Sequence, residues 1–238
     1  MSCLAENPEH SIGGQASAAG TGSIDRSRSL GGHLALPRVA FTAAVAFFAA
    51  AIHVIPGASG LLQFDRAAIA TGQGWRLLTG HLTHWNLDHL FWDLLMFIVL
   101  GCVVEIQSRR RLVGLCLGSA LAISGFTWFG SSGLETYRGL SGIDTALFVS
   151  VAISIASAAV ARRQWVRALV SATLLVGLTG KLLFESITGS TMFVDSATSG
   201  FVVLVEAHLL GAVVAATVFF CEQRKPCLGR VPIVNTAA

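Results

Sequence analysis

Six apolar stretches, separated by polar or charged segments, dominate the pattern of this chain. A helix needs roughly 20 residues to cross the hydrocarbon core of a bilayer, and most of the stretches approach that length. Lipid offers no hydrogen-bond partner to the backbone, so long stretches without strict alternation indicate helices rather than barrel strands. The pattern predicts six membrane-spanning helices, at about 39–54, 87–106, 112–130, 141–160, 166–184 and 201–221.

Composition supports a polytopic membrane protein. The 238 residues are 53% hydrophobic and 12% charged, whereas soluble domains carry about 25% charged residues. This composition makes the lipid bilayer the expected environment. A net charge of +3 gives no reason to expect a nucleic-acid partner. The five cysteines are odd in number and form no CxxC pair, which argues against a disulfide framework or a zinc site.

The spans define the predicted domain organisation. Residues 1–35 are rich in Ser, Gly and Ala without an apolar run, and we expect a disordered tail there. A six-helix membrane domain follows over 36–221, with a second tail over 222–238. The run at 39–54 has some likeness to the core of a signal peptide, but its long polar leader and the later spans favour a retained helix.

Basic residues predict the orientation. Twelve of the sixteen Lys and Arg residues lie before the first predicted helix, at the connections after the second and fourth helices, or after the sixth helix. The other four are Arg66, Arg76, Arg138 and Lys181. Cytoplasmic segments carry the excess of positive charge, so both termini are expected in the cytoplasm.

Two polar residues stand where a membrane helix should be apolar. Ser141 lies in the sequence Gly139-Leu140-Ser141-Gly142, and His208 lies in the sixth span. A paired hydroxyl and imidazole make an activated nucleophile, which suggests an intramembrane serine protease. The two glycines would leave room for a substrate backbone. Counting ~1.5 Å per residue from the cytoplasmic boundary places the two groups ~31 and ~20 Å up, so the sequence alone does not establish contact.

Further polar residues lie near this pair. His89 and Asp93 are four residues apart on one helix face and could donate hydrogen bonds to an oxyanion, Asp93 only if protonated. Asp144 follows Ser141 by three residues and could orient His208. We favour instead a protonated Asp144 that bonds a neighbouring helix. No HExxH motif is present, so a metal site is not expected. The suggested serine chemistry requires no other cofactor.

Several motifs in register resemble the rhomboid family of intramembrane serine proteases. They are Trp75-Arg76, His84 with His89 and Asp93, Gly101 to Glu105, the segment around Ser141, and Ala207-His208 with Gly211. The resemblance covers about 40–221. Tyr137-Arg138 and Val205-Glu206 are most similar to the rhombosortase branch.

The resemblance implies a six-helix rhomboid-like bundle with a Ser141–His208 dyad. His89 and the Ser141 N–H would line the oxyanion hole, and Asp93 stands where the family usually has Asn. Ala215 replaces a second glycine, so Gly211 and Ala215 would form the small-residue contact of the sixth helix. The implied partner is a protein substrate anchored by a transmembrane helix. For the branch, the substrate would be a secreted protein with a C-terminal glycine-rich motif, helix and basic tail, cut at the bacterial inner membrane.

Two other functions stay open. A rhomboid-like protein could bind membrane helices without cutting them. Asp93, which replaces the usual Asn of the family, is compatible with that alternative. A small proton-coupled transporter could use a relay of Asp88, Asp93, Asp144, Glu206 and His208. Interrupted internal repeats would favour a transporter, and the sequence shows no convincing repeat.

Overall fold

The structure is a computed structural model that describes residues 38–191 and 204–224. Almost all of both predicted tails therefore lies outside the described residues. The regular elements are α1 (Ala40–Val54), α2 (Ala58–Leu62), β1 (Phe64–Asp65), α3 (Arg66–Ala70), α4 (Arg76–Thr79), a 3₁₀ helix (Gly80–Leu82), α5 (Leu87–Gln107), α6 (Arg109–Phe129), β2 (Thr136–Tyr137), α7 (Ser141–Ala161), α8 (Trp165–Thr188) and α9 (Val205–Gln223).

The predicted all-α membrane bundle is confirmed. Within the described ranges, the helices α5 to α9 are long and apolar enough to cross a membrane, and the bounds of α5 to α8 lie within four residues of the predicted ones. The α1 helix is apolar but has only 15 residues. At ~1.5 Å per residue it reaches about 22 Å, short of a ~30 Å hydrocarbon core. The first predicted span, at 39–54, and with it the total of six therefore stay predictions.

The α7 helix lies at the centre of the bundle. It packs against α5, α6, α8 and α9, and it has the highest share of buried residues among the five long helices. Its apolar side chains, among them Ile143, Ala146 and Leu147, join the main hydrophobic core. Ser141 is therefore the first residue of the most enclosed helix.

Small residues bring α9 close to α7. A Cβ added to Gly211 would overlap the backbone oxygen of Gly142, and one added to Gly142 would lie 2.8 Å from the oxygen of Ala207. Ala215, one turn beyond Gly211, is completely buried. The predicted close contact of the fourth and sixth apolar helices is thus present.

The segment between α1 and α5 folds over the end of the bundle where α7 begins. Its strand β1 pairs antiparallel with β2, with Phe64 opposite Tyr137, so the segment is tied to the chain just before Ser141. Buried Arg76 fastens the segment by donating to the carbonyl oxygens of Gly60 and Gln63, each at 3.0 Å. These bonds give the Trp75-Arg76 motif a structural role.

The motif from Gly101 to Glu105 joins α5 to α1. The buried Glu105 carboxylate accepts hydrogen bonds from the N–H groups of Phe41 and Thr42 at 3.0 and 2.8 Å. A Cβ on Gly101 would lie 3.0 Å from a methyl carbon of Thr42. Glycine and glutamate therefore fix the entry of α1 into the bundle.

Candidate active site

A cavity of about 650 Å³ opens at the end of the bundle where α7 and α9 begin. Its lining includes the titratable or nucleophilic side chains His89, Asp93, Ser141, Asp144, Glu185 and His208. The cavity thus collects polar groups from α5, α7, α8 and α9. Apart from Ser141, each of these side chains belongs to a residue that is at least nine-tenths buried.

Ser141 occupies the N-terminus of α7. Helix termini leave the first backbone N–H groups without partners inside the helix, and they favour negative charge. In the described part of the chain, no hydrogen bond is formed by the Ser141 N–H, and no side chain caps the helix. This N–H is therefore available to an oxyanion, as the resemblance implied.

Ser141 and His208 line the same cavity but form no hydrogen bond in the described structure. Their sequence neighbours Gly142 and Ala207 lie in van der Waals contact, which holds the two helix starts side by side. The mismatch in depth estimated from the sequence therefore does not keep the two helix starts apart. Apo sites often have catalytic hydrogen bonds that are long or poorly aligned.

Tyr137 lies four residues before the serine and lines the same cavity. Its buried phenol donates to the carbonyl oxygen of Gly139 at 3.4 Å. Burial raises the pKa of this phenol well above its ordinary value. Tyr137 is consequently a neutral donor beside the nucleophile.

Asp93 organises the backbone before Ser141. Its Oδ2 atom accepts the N–H of Leu140 at 2.8 Å and lies 3.1 Å from Nε2 of His84 and 3.3 Å from Nε2 of His89. One carboxylate oxygen thus faces three nitrogen atoms, which is the arrangement of an acceptor. Any donation from Asp93 to an oxyanion would have to come from its other oxygen.

Gly139 allows this cluster to form. Its φ of 121° lies in the region that side chains disfavour, and a Cβ there would lie 2.8 Å from Nε2 of His89 and 3.2 Å from Oδ2 of Asp93. At Gly142, atoms of Ile123 and Ala207 occupy the space that a Cβ would need. In the direction that a Cβ would take, the protein itself therefore fills the space at both glycines.

Neither role considered for Asp144 is seen among the described residues: it does not pair with His208, and the favoured hydrogen bond to a neighbouring helix is absent. The Asp144 carboxyl is buried and has no hydrogen-bond partner among the described residues. The carboxylate beside the histidine belongs to Glu185, whose Oε2 lies 3.4 Å from Nδ1 of His208. The other oxygen of Glu185 pairs with Nζ of Lys181 at 2.6 Å.

Sequence reasoning does not identify Glu185, and it names Tyr137 only for its similarity to the rhombosortase branch. The predicted fifth span ended at residue 184, so Glu185 was placed outside the membrane and Lys181 was counted only as an outer charge. The structure continues α8 to Thr188. A Lys and a Glu four residues apart inside an apolar helix were the available signal, since charges within membrane segments usually mark functional sites.

Among the described residues, the titratable groups of the cavity are not arranged as a metal site. Within 38–191 and 204–224, no three His, Cys, Asp or Glu side chains are arranged to hold a metal ion. The histidines His84 and His89 point instead at Asp93. The cluster is an ion-pair and hydrogen-bond network.

Comparison with known protein families identifies the domain. A family model described as Rhomboid domain matches residues 71–224, which is 154 of the 238 residues. A search of curated proteins finds no match. The matched range contains every titratable and nucleophilic side chain of the cavity.

Proposed function

The chain belongs to the rhomboid family, whose members are in general intramembrane serine proteases, and from this premise we propose that it is an endopeptidase with a Ser141–His208 dyad. One observation carries the proposal: the serine at the N-terminus of α7 and the histidine of α9 line one cavity. Rhomboid proteases cut transmembrane substrates within the bilayer. The proposed site would act on such a substrate where its helix unwinds, since a helical backbone hides its carbonyl groups.

The proposed reaction is acyl transfer to serine. The Oγ atom of Ser141 attacks the scissile carbonyl carbon while His208 takes the hydroxyl proton. Negative charge then develops on the carbonyl oxygen, where the Ser141 N–H and the His89 imidazole would donate hydrogen bonds. When the peptide bond breaks, His208 gives its proton to the leaving amine. Water hydrolyses the acyl-enzyme by the same proton transfers in reverse.

We assign Asp93 a supporting part in this reaction. Its Oδ2 atom holds the Leu140 N–H, next to Ser141, and faces the imidazole of His89. Through these contacts it would fix both the nucleophile's backbone and the oxyanion donor. Asn, which the family usually has at this position, offers a carbonyl oxygen for the same contacts.

We further propose the rhombosortase type of substrate and an inner-membrane location. Support comes from Tyr137-Arg138 and Val205-Glu206, which are similar to that branch. A secreted protein with a glycine-rich motif, a C-terminal helix and a basic tail would enter from the non-cytoplasmic side. A reporter with such a tail should be cleaved by the wild type and not by Ser141→Ala.

A fluorophosphonate probe tests the proposed dyad directly. We expect the detergent-solubilised protein to be labelled, and Ser141→Ala and His208→Ala to lose labelling. Ser150→Ala is the matched control, because this buried serine lies on the same helix away from the cavity. A folded wild type that resists the probe would favour the second candidate, a rhomboid-like protein that binds helices without cutting them. The unformed Ser141–His208 hydrogen bond is the observation that favours this candidate.

A further inference from the structure

A buried carboxylate beside His208 is unused by the reaction as described so far. Glu185 is 1% exposed, and its two oxygens have different partners. Oε1 pairs with Lys181 Nζ at 2.6 Å. Oε2 lies 3.4 Å from His208 Nδ1, which is an ion-pair distance, although the two atoms are not aligned for a hydrogen bond. Lys181 thus orients the carboxylate so that its second oxygen faces the imidazole.

The position of the Lys181–Glu185 pair indicates a role beyond packing. Charges inside a membrane are costly, and they usually face a cavity or a partner. The α8 helix has the lowest share of buried residues among the five long helices, yet its Lys181 and Glu185 both line the cavity. A helix that only needed to pack there would do so with apolar residues at lower cost.

We propose that Glu185 is a positioning residue that completes a Ser141–His208–Glu185 arrangement. This inference rests on the proposed protease function. A carboxylate that accepts Nδ1–H fixes the tautomer in which Nε2 is free to take a proton, and it stabilises the imidazolium that forms. The proton of Ser141 moves to Nε2 and then to the leaving amine, while Glu185 stays ionised. Glu185 thus orients His208, the role for which the sequence suggested Asp144.

The surroundings of His208 define what a pH profile would report. Lys181 and Glu185 face the cavity from α8, Asp144 faces it from α7, and His89 and Asp93 face it from α5. Glu206, on the histidine's own helix, is exposed. Within the described residues, Glu185 supplies the carboxylate at ion-pair distance from the imidazole. Its removal should therefore act on His208 first.

The test is the kinetics of fluorophosphonate labelling. In this reaction Ser141 Oγ bonds to phosphorus, fluoride leaves, and His208 takes the hydroxyl proton. For Glu185→Gln we expect the maximal rate kinact to fall roughly 10- to 100-fold, with an unchanged half-saturating probe concentration. The acid limb of the rate should move to lower pH, because an imidazole without a nearby carboxylate takes up a proton less readily. Glu185→Asp should restore part of kinact.

Glu222→Gln is the matched control. It is the same substitution of a paired carboxylate, at the far end of α9, where Glu222 lies 3.5 Å from Arg111. We expect it to keep the wild-type kinact. Suppose that the wild type is labelled and that Glu185→Gln folds. If the variant then keeps the wild-type kinact and pH profile, the positioning role is overturned. If the wild type itself is not labelled, the protease function fails instead.

A spectroscopic measurement covers the case in which Glu185→Gln does not fold. Nitrogen NMR of histidine-labelled wild-type protein reports which ring nitrogen of His208 carries the proton, with the signal assigned by its loss in His208→Ala. We expect neutral His208 to be protonated on Nδ1. Protonation on Nε2 would overturn the proposal without any variant of Glu185.

Discussion

At the scale of single residues, position 139 requires glycine for two separate reasons. The backbone there has a φ of 121°, and a Cβ would lie 2.8 Å from the His89 imidazole. We expect Gly139→Ala to displace His89 and to lower the rate of probe labelling by up to about 100-fold, since small misplacements of catalytic groups are costly. The measurement is kinact in detergent.

Gly72 separates crowding from backbone strain. It also has a positive φ, of 103°, but a Cβ there would meet nothing within 4 Å. Gly72→Ala should therefore lower stability by roughly 1 kcal/mol and leave kinact unchanged. Equal losses of kinact in the two variants would show that strain, rather than contact with His89, explains the glycine.

Asp93 is the second residue at which the structure makes a distinct prediction. Asn can place a carbonyl oxygen where Oδ2 now accepts the Leu140 N–H, whereas Ala leaves that buried N–H without an acceptor. We expect Asp93→Asn to keep labelling within about 10-fold of the wild type. Asp93→Ala should lose about 1–3 kcal/mol of stability and most of its labelling. Collapse of a folded Asp93→Asn would show that the negative charge itself is required.

Residue identity at the site was largely readable from the sequence, but its contacts were not. Ser141, His208 and His89 stand in recognisable motifs, and they do line one cavity. Glu185 belongs to none of these motifs. Its contact with His208 depends on how α8 and α9 are rotated, which hydropathy along one chain does not encode. Asp144 is the carboxylate nearest to Ser141 in the sequence, whereas Glu185 is the one that lies beside His208 in space.

At the scale of elements, the close approach of α9 to α7 sets the position of His208. A Cβ on Gly211 would overlap the backbone oxygen of Gly142, next to Ser141. We therefore expect Gly211→Ala to push the helices apart and reduce kinact at least about 10-fold. Gly125→Ala is the control, because a Cβ at that helical glycine of α6 meets nothing within 4 Å. A wild-type rate in Gly211→Ala would mean that α9 shifts without moving His208.

The 3₁₀ helix makes a pH-dependent link to α6. His81 is buried there, with its Nε2 3.2 Å from the Ala120 oxygen and 3.1 Å from Ser124 Oγ. Burial lowers the pKa of His81 from 6.5 to about 4, so the folded protein keeps it neutral while the unfolded chain takes up a proton. The contribution of neutral His81 to the free energy of unfolding is complete above pH 6.5. As pH falls towards 4, the free energy of unfolding decreases by on the order of 2–3 kcal/mol.

Thermal unfolding in detergent at pH 7 and pH 4.5 tests this link. His81→Gln keeps an amide donor near the position of Nε2 but does not titrate. The wild type should lose more stability between the two pH values than His81→Gln does. Parallel losses would assign the acid sensitivity to other groups.

Elements were predictable in proportion to their length. The long apolar helices followed from hydropathy alone. The segment between α1 and α5 did not, because strands of two residues such as β1 and β2 have no period to detect. Their pairing is fixed by tertiary contacts, including the bonds that Arg66 donates to the carbonyl oxygens of Leu134 and Ser131.

At the scale of the whole molecule, the exposed surface suits a bilayer. The α8 helix carries many exposed large apolar side chains, among them Val166, Leu169, Val170, Leu174, Val176 and Ile187. In water such a surface would favour association, whereas lipid tails cover it without cost. The buried polar cluster and the apolar exterior together describe a membrane protein whose chemistry is enclosed.

The orientation of this body decides which substrates reach the site. Basic residues cluster in the turns after α5 and α7 and beyond α9, and Ser141 and His208 lie towards the opposite end. The positive-inside rule therefore predicts a site near the non-cytoplasmic face. In a background with the native cysteines replaced by serine, Ser132→Cys should react with an impermeant maleimide in intact cells. Arg162→Cys should react only after permeabilisation. Both positions are exposed, one before α7 and one after it. The reverse pattern would invert the topology and direct the site to cytoplasmic substrates, which excludes the secreted proteins proposed above.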